Sequence, residues 1–267
     1  MTAADLADAV AGPITVLDVR WRLGGPPSRN DYVAGHIPGA AFIDLEAELS
    51  GPPGAGGRHP LPDPHVLQDA LRRAGVRAGR PVVAYDYGDG MAAARLWWTL
   101  RWAGHPDARV LDGGFPAWTA AGLPVTADVA TPEPGDFEVR PGQMPVLDAD
   151  GAAEVASAGT LIDARTGPRF RGETEPIDPV AGRIPGAVNR PYADLMRADG
   201  RLRSADELRS RFGISSGTRT GAYCGSGVTA AHTVLALAEA GVENPELYVG
   251  SWSHWITDPD RPIATGD

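Results

Sequence analysis

The sequence predicts an α/β fold of two tandem domains, each a mainly parallel sheet with helices on both faces. Its length of 267 residues is enough for two domains of ordinary size. In both halves, short β-rich runs alternate with segments of helical periodicity, which is the pattern of a parallel sheet covered by helices. Four landmarks also occur twice in the same order, and this repetition indicates an internal duplication.

The four landmarks define the elements that the two halves share. Each half has a β-rich run before an arginine, then a Gly-x-Ile-Pro-Gly-Ala motif, then a buried-strand candidate before a glycine-containing turn, and finally a glycine-containing turn before a tryptophan. In the two halves these landmarks occupy residues 14–20 and 160–165, 35–40 and 182–187, 81–85 and 220–223, and 111–118 and 248–255.

Helices are predicted after the third landmark of each half. Apolar residues recur at helical spacing over residues 96–102 and 233–240. Gly104 and Gly241 follow at positions where glycine commonly ends a helix. Each half therefore places a helix directly after one of its central strands.

The boundary between the halves is expected in a proline-rich stretch. Residues 126–142 contain three prolines and no helical period, which is typical of a linker. We therefore predict an N-terminal domain at residues 1–125, a linker at residues 126–145 and a C-terminal domain at residues 146–267.

Composition excludes several classes of function. The net charge of −10 and the pI near 5.0 argue against a nucleic-acid partner, which needs a basic surface. All 24 basic residues are arginine, so lysine-dependent phosphate loops and Schiff bases are excluded. A single cysteine permits no intrachain disulfide and no multi-cysteine cluster, and the six histidines lack the spacing of metal ligands. We predict neither a metal nor an organic cofactor.

Hydropathy and the first residues bear on location. No apolar stretch approaches the roughly 18 residues of a membrane span. The first twelve residues carry two aspartates and no basic residue, unlike a signal peptide. We therefore expect a cytoplasmic protein with no membrane partner.

The only cysteine, Cys224, lies where a thiol can be activated. It follows a predicted strand and precedes a glycine-containing loop and a helix expected to start near Ala230. Backbone N–H groups of such a loop, together with a helix N-terminus, favour a thiolate. The alternative is an inert buried cysteine, which composition alone would favour. The loop and the helix favour a nucleophile.

The residues around Cys224 resemble a known family. The string Cys-Gly-Ser-Gly-Val-Thr at 224–229, with the motifs at 182–187 and 250–255, is similar to that of tandem rhodaneses, in particular 3-mercaptopyruvate sulfurtransferases. The resemblance implies that Cys224 takes a sulfane sulfur from a small-molecule donor as a persulfide. The acceptor would be a thiol, either thioredoxin-like or of low molecular weight, or cyanide. Asp86 stands in place of the cysteine in the first half, which should be inactive.

The resemblance also implies which residues act with Cys224. Ser226, His59 and Glu46 match a proton relay, with glutamate where the family pattern has aspartate. The backbone of the loop would bind and stabilise the anionic sulfur. The loop residues expected to do so are Gly225, Gly227, Val228 and Thr229.

One arginine is expected to bind the donor's carboxylate. Arg169 resembles the family arginine with this role, which suits a guanidinium. The second arginine that family members often have is missing, since residues 173–179 contain none. Either Arg169 acts alone, or Arg183 reaches the substrate from the position that His36 occupies in the first half.

Three alternatives differ in donor or in chemistry. The neutral residues Gly225 and Ser226 favour mercaptopyruvate, whereas thiosulfate-preferring members resemble one another in having cationic residues there. Thiosulfate nevertheless stays open as a donor. A cysteine-dependent phosphatase would need an arginine where this chain has Ala230. A non-catalytic module that binds a partner or senses oxidants through Cys224 is also compatible with the sequence.

Overall fold

A computed structural model describes all 267 residues, which form two compact units. The main boundary between the units lies between residues 143 and 144. Two short segments, 52–61 and 198–201, each belong to the unit that the other half of the chain mainly forms. Unit 1 comprises Met1–Gly51, Pro62–Gln143 and Ala198–Arg201, and unit 2 comprises Pro52–Leu61, Met144–Arg197 and Leu202–Asp267.

Unit 1 contains a four-stranded parallel sheet in the order β2-β1-β3-β4. Its strands are β1 (Thr15–Asp18), β2 (Ala41–Phe42), β3 (Val82–Tyr85) and β4 (Ala108–Val110). Its helices are α1 (Ala3–Ala9), α2 (Arg29–Ala34), α3 (Leu45–Glu48), α4 (Pro64–Arg73), α5 (Met91–Trp102) and α6 (Gly114–Ala120). All four residues of β3 are buried, as expected for a central strand covered on both faces.

Unit 2 contains a five-stranded parallel sheet in the order β5-β9-β8-β6-β7. Its strands are β5 (Val146–Leu147), β6 (Thr160–Asp163), β7 (Val188–Asn189), β8 (Thr220–Tyr223) and β9 (Glu246–Tyr248). Its helices are α7 (Ala149–Ala158), α8 (Gly167–Arg171), α9 (Ala205–Phe212), α10 (Val228–Glu239) and α11 (Ser251–Trp255), with a 3₁₀ turn at Tyr192–Leu195. The predicted α/β class, with two sheets each flanked by helices, is confirmed.

The repeated arginine of the first landmark has the same structural role in both units. In unit 2, Arg165 forms a buried ion pair with Asp163 at 2.6 Å and donates to the carbonyl of Gly182 at 2.7 Å. In unit 1, Arg20 pairs with Asp18 at 2.7 Å and donates to the carbonyl of Gly35 at 2.7 Å. The arginine thus ties the end of a central strand to the start of the Gly-x-Ile-Pro-Gly-Ala motif.

The proline-rich stretch is packed along unit 1. It contains no helix or strand beyond an isolated bridge at Thr126. The amide of Gly135 donates to the carbonyl of Arg72 at 2.7 Å, and Phe137 is 3% exposed. Up to residue 143 this stretch therefore belongs to unit 1 rather than standing apart from it.

Each unit has an apolar core of its own. In unit 1 the core joins Leu6, Val83 and Trp118, and in unit 2 it joins Val155, Tyr223 and Trp252. None of the helices combines the length and the apolar character that crossing a bilayer requires.

Candidate active site

The Cys224 thiol lies at the carboxyl end of β8, inside a tight turn that leads into α10. Its Sγ accepts the backbone N–H of Gly227 at 3.1 Å, and the residue is 3% exposed. Gly227 has a φ of +80°, a conformation that favours glycine. The turn is therefore shaped so that a main-chain amide points at the sulfur.

Helix α10 begins two residues earlier than the sequence analysis expected. Val228 and Thr229 are its first two residues, and Gly227 is its N-cap in the left-handed conformation. The first amides of a helix have no partner within the helix and give its N-terminus a partial positive charge. This charge stabilises a thiolate or a persulfide anion on Cys224.

The short helix α11 fixes the backbone of the loop. The amide of Cys224 donates to Ser251 Oγ at 3.1 Å, and Ser251 Oγ donates to the carbonyl of Tyr248 at 2.8 Å. The amides of Trp252 and Ser253 donate to the carbonyls of Cys224 and Gly225 at 3.0 and 2.9 Å. These hydrogen bonds to α11 fix the loop in the conformation that directs the Gly227 amide at the sulfur.

Ser251 adopts a backbone conformation that is unusual for its type. Its φ is +53°, in the left-handed region, where a side chain costs about 1–2 kcal/mol. The equivalent position in unit 1 is Gly114, whose φ is +57°. Unit 2 therefore uses a serine where glycine fits better, and the serine hydroxyl holds the amide of Cys224.

Ser226 and His59 are in direct contact. His59 Nδ1 lies 2.8 Å from Ser226 Oγ, and both residues are buried, with exposures of 5% and 7%. His59 comes from the Pro52–Leu61 segment that belongs to unit 2. The amide of Arg58 anchors this segment by donating to Ser253 Oγ at 3.0 Å.

Glu46, the third predicted member of the relay, lies in α3 of unit 1. It is exposed and accepts a hydrogen bond from Trp21 Nε1 at 3.1 Å. His59 belongs to unit 2, so the contact between Glu46 and His59 stays a prediction.

Arg169 is held by two carboxylates. Its Nε and Nη2 donate to Glu175 at 2.9 and 2.6 Å, and Nη2 also donates to Asp178 at 3.1 Å. Burial raises the pKa of the Glu175 carboxyl, but the hydrogen bond from Arg169 lowers it, and the pKa lies below its usual value. Nη1 forms none of these bonds.

Arg58 joins the same cluster, a contact that the sequence analysis missed. Its guanidinium pairs with Asp178, so Asp178 bridges Arg58 and Arg169. Arg58 is 120 residues from Asp178 in the chain, and no periodicity or motif connects the two. The sequence pattern indicates only its neighbour His59 in this segment.

Arg183 has a different environment from the one expected. Its guanidinium donates to the backbone carbonyls of Phe170, Gly266 and Asp267 and lies 4.4 Å from the centroid of the Phe170 ring. None of these contacts involves the loop at Cys224. The structure therefore gives no support to Arg183 as the second substrate arginine.

The equivalent loop of unit 1 surrounds a carboxyl group, that of Asp86. Asp86 Oδ1 accepts the amides of Gly88 and Gly90 at 2.9 and 3.2 Å, and Oδ2 accepts the amide of Ala93 at 3.0 Å. Burial raises the pKa of the Asp86 carboxyl above its usual value, and these amide hydrogen bonds offset only part of that rise. The same type of loop thus surrounds a carboxylate in unit 1 and a thiol in unit 2.

Two duplicated α/β units with one thiol in an amide-lined loop define a recognisable class of protein. The family model of the rhodanese-like domain matches residues 2–121 and 148–258. The chain therefore belongs to the rhodanese-like domain family.

Comparison with known proteins gives relatives over the whole length. A Pseudomonas aeruginosa protein provisionally named 3-mercaptopyruvate sulfurtransferase is 48% identical, covering 100% of this chain and 98% of its own. A Mycobacterium tuberculosis protein, provisionally named thiosulfate sulfurtransferase SseB, is 46% identical, covering 100% and 96%. The crystal structure of the 3-mercaptopyruvate sulfotransferase SseA from Escherichia coli superposes with a TM-score of 0.84 at 34% identity, covering 95% and 98%.

Proposed function

We propose that this protein is a sulfurtransferase that receives sulfur from 3-mercaptopyruvate on Cys224 as a persulfide and passes it to a thiol or to cyanide. The observation that carries the proposal is the hydrogen bond from the Gly227 amide to Cys224 Sγ, at the N-terminus of α10. A relative provisionally named for this donor is 48% identical over the full chain, which supports the choice of substrate.

In the first half-reaction, the Cys224 thiolate attacks the sulfur of the donor. The carbon–sulfur bond of mercaptopyruvate breaks, and its electron pair forms the enolate of pyruvate. Protonation of the enolate carbon gives pyruvate, and the sulfur stays on Cys224 as a persulfide. The loop amides and the start of α10 stabilise the negative charge that the sulfur carries before and after transfer.

The pair of Ser226 and His59 is suited to supply the proton. A hydroxyl in hydrogen-bond contact with a buried imidazole can transfer a proton over a short distance. Ser226 is two residues after Cys224 in the chain and belongs to the same loop. Glu46 is proposed to orient His59, as the family pattern implies.

Arg169 is proposed to bind the donor's carboxylate. Glu175 and Asp178 fix its guanidinium and leave Nη1 free of hydrogen bonds. A preorganised guanidinium loses little side-chain entropy when a carboxylate binds. The loop backbone from Gly225 to Thr229 would contact the rest of the donor.

In the second half-reaction, the acceptor attacks the outer sulfur of the persulfide. The sulfur–sulfur bond breaks and Cys224 leaves as a thiolate, which restores the enzyme. A thioredoxin-like protein or a low-molecular-weight thiol would leave as a persulfide, and cyanide would become thiocyanate. A cytoplasmic location is part of the proposal, because thiol acceptors stay reduced there.

Thiosulfate is the second candidate donor. A relative provisionally named thiosulfate sulfurtransferase is 46% identical over the full chain. The guanidinium groups of Arg58 and Arg169 on the Gly225 side of the loop are compatible with an anionic sulfur donor. Comparison of kcat/KM for the two donors decides between them.

Mass spectrometry of the intact chain tests the proposal. After exposure to mercaptopyruvate, the protein should be heavier by one sulfur atom, and cyanide should remove that atom as thiocyanate. The Cys224→Ser variant is a clean control because the chain has one cysteine. A chain that takes up sulfur from neither donor would instead be a non-catalytic rhodanese module, and the proposal would be wrong.

A further inference from the structure

The Arg58 guanidinium occupies the space in which a side chain at position 225 would begin. A Cβ atom built on Gly225 would lie 2.9 Å from Arg58 Nη2, closer than real Cβ contacts allow. The same point lies 3.6 Å from Arg169 Nη2 and 3.7 Å from Asp178 Oδ2. A cation from the Pro52–Leu61 segment of unit 2 therefore stands beside the residue that follows the nucleophile.

Asp178 neutralises this cation. Its carboxylate pairs with Arg58 and also bridges to Arg169 at 3.1 Å. The Asp178 side chain is 2% exposed, so its charge is poorly screened by water. Arg58 Nε is buried and has no hydrogen-bond partner, which leaves one donor of the guanidinium unused.

The charges of this cluster sum to zero. Three guanidinium groups, those of Arg58, Arg165 and Arg169, face three carboxylates, those of Asp163, Glu175 and Asp178. Thiosulfate brings two negative charges to the loop, whereas mercaptopyruvate brings one carboxylate. A cluster with no net charge gives little extra attraction to the second negative charge of thiosulfate. Specificity depends on the difference in binding free energy between the two donors.

From this arrangement we infer that Arg58 and Asp178 are specificity-determining residues, which select between donors according to the donor's charge. Arg58 takes the place of a cationic side chain at position 225, and Asp178 reduces its positive potential so that the singly charged carboxylate donor is preferred. This inference rests on the proposed function, since it assigns the donor preference of the same loop.

The first test replaces Asp178 by asparagine, which keeps the size of the side chain and releases the charge of Arg58. We expect the ratio of kcat/KM for thiosulfate to that for mercaptopyruvate to rise about tenfold in Asp178→Asn. The KM for thiosulfate should also depend more steeply on ionic strength, which a purely structural defect would not produce.

The second test changes the ratio in the opposite direction. Arg58→Gln leaves the negative charge of Asp178 less compensated. We therefore expect kcat/KM to fall for both donors, and to fall more for thiosulfate than for mercaptopyruvate. Glu173→Gln is the matched control, because this carboxylate is on the same segment, is 53% exposed and pairs with Arg171 instead. The ratio should not change in that variant.

The outcomes separate this inference from the function it rests on. Equal ratios in Asp178→Asn, Arg58→Gln and Glu173→Gln, in folded protein that still transfers sulfur, would overturn the inference and leave the sulfurtransferase intact. Absence of sulfur transfer in the unmodified protein would overturn the function itself. If Asp178→Asn does not fold, the ratio in Arg58→Gln decides alone.

Discussion

At the scale of single residues, the site depends on contacts between side chains far apart in the chain. Ser226 and His59 are separated by 167 residues and lie 2.8 Å apart. The family pattern predicted that these two residues act together, and the contact makes a proton transfer between them possible. Its consequence should differ between donors, because only mercaptopyruvate leaves an enolate that must be protonated.

We expect His59→Gln to lower kcat for mercaptopyruvate by about 10²-fold, in the range typical of general acid–base catalysis. Sulfur uptake from thiosulfate should change far less, since its leaving group is sulfite. His65→Gln, on the exposed side of α4, serves as the control. Equal losses with both donors would show that His59 supports the structure rather than the proton transfer.

Ser251 allows a second test at this scale. Ser251→Ala removes the hydrogen bond to the Cys224 amide but keeps a side chain at a φ of +53°, whereas Ser251→Gly removes the bond and relieves the backbone. Both variants should form the persulfide more slowly. In urea unfolding, the alanine variant should be less stable than the glycine variant by about 1 kcal/mol. Equal stabilities would mean that the backbone at Ser251 is not strained.

At the scale of elements, the strand–loop–helix unit of β8 and α10 was the most predictable part of the site. The strand Thr220–Tyr223, the loop and the helix were all expected from the sequence, and the helix starts at Val228 rather than Ala230 because Gly227 caps it in a left-handed conformation. A glycine pattern does not reveal which glycine will cap a helix, so the start was misplaced by two residues.

The arginines were harder to predict. The carboxylates that fix Arg169 come from residues 175 and 178, in a proline-interrupted segment without periodicity. Arg183 is occupied by carbonyls at the end of the chain, and the ion pair of Arg58 spans 120 residues. Local patterns carry no information on such long-range pairs, so the sequence did not indicate that Arg58 would lie beside Arg169.

The loop between β3 and α5 gives a prediction for pH. Burial, followed by the charge of Asp86, raises the pKa of Asp89 to about 7 from its ordinary 3.8. Because the folded state favours the protonated form, the stability that this group contributes is complete below pH 4 and is lost as the pH rises through 7.

Asp89→Asn should therefore gain stability relative to the unmodified protein between pH 4 and pH 8. The gain should be on the order of 1 kcal/mol, measured by urea unfolding at several pH values. Asp69→Asn, on the exposed side of α4, removes the same charge as a control. A difference in stability that does not change with pH would contradict the raised pKa of Asp89.

At the scale of the whole molecule, the sequence did not predict which segments of the chain make up unit 2. The duplication predicted two units, but the Pro52–Leu61 segment belongs to unit 2 although it lies among residues of unit 1 in the chain. This segment brings Arg58 and His59 to unit 2. Repetition in a sequence shows which parts are similar, and it does not show where an intervening loop will pack.

A fragment of residues 144–267 would keep Cys224 and lack His59. We expect its turnover of mercaptopyruvate to be no higher than that of the full-length His59→Gln variant. Circular dichroism establishes whether the fragment is folded before the rates are compared. Activity equal to that of the unmodified protein would show that the Pro52–Leu61 segment is dispensable.

The aspartate that occupies the loop of unit 1 has a consequence for how the shape of that loop is maintained. Converging amides are unfavourable when no acceptor lies among them, so a loop of this type that has no thiol needs another acceptor to keep its shape. Asp86 provides one from within the chain. One copy of the loop thus keeps the same acceptor permanently, whereas in the proposed reaction the other holds a sulfur atom whose bonding partner changes with each half-reaction.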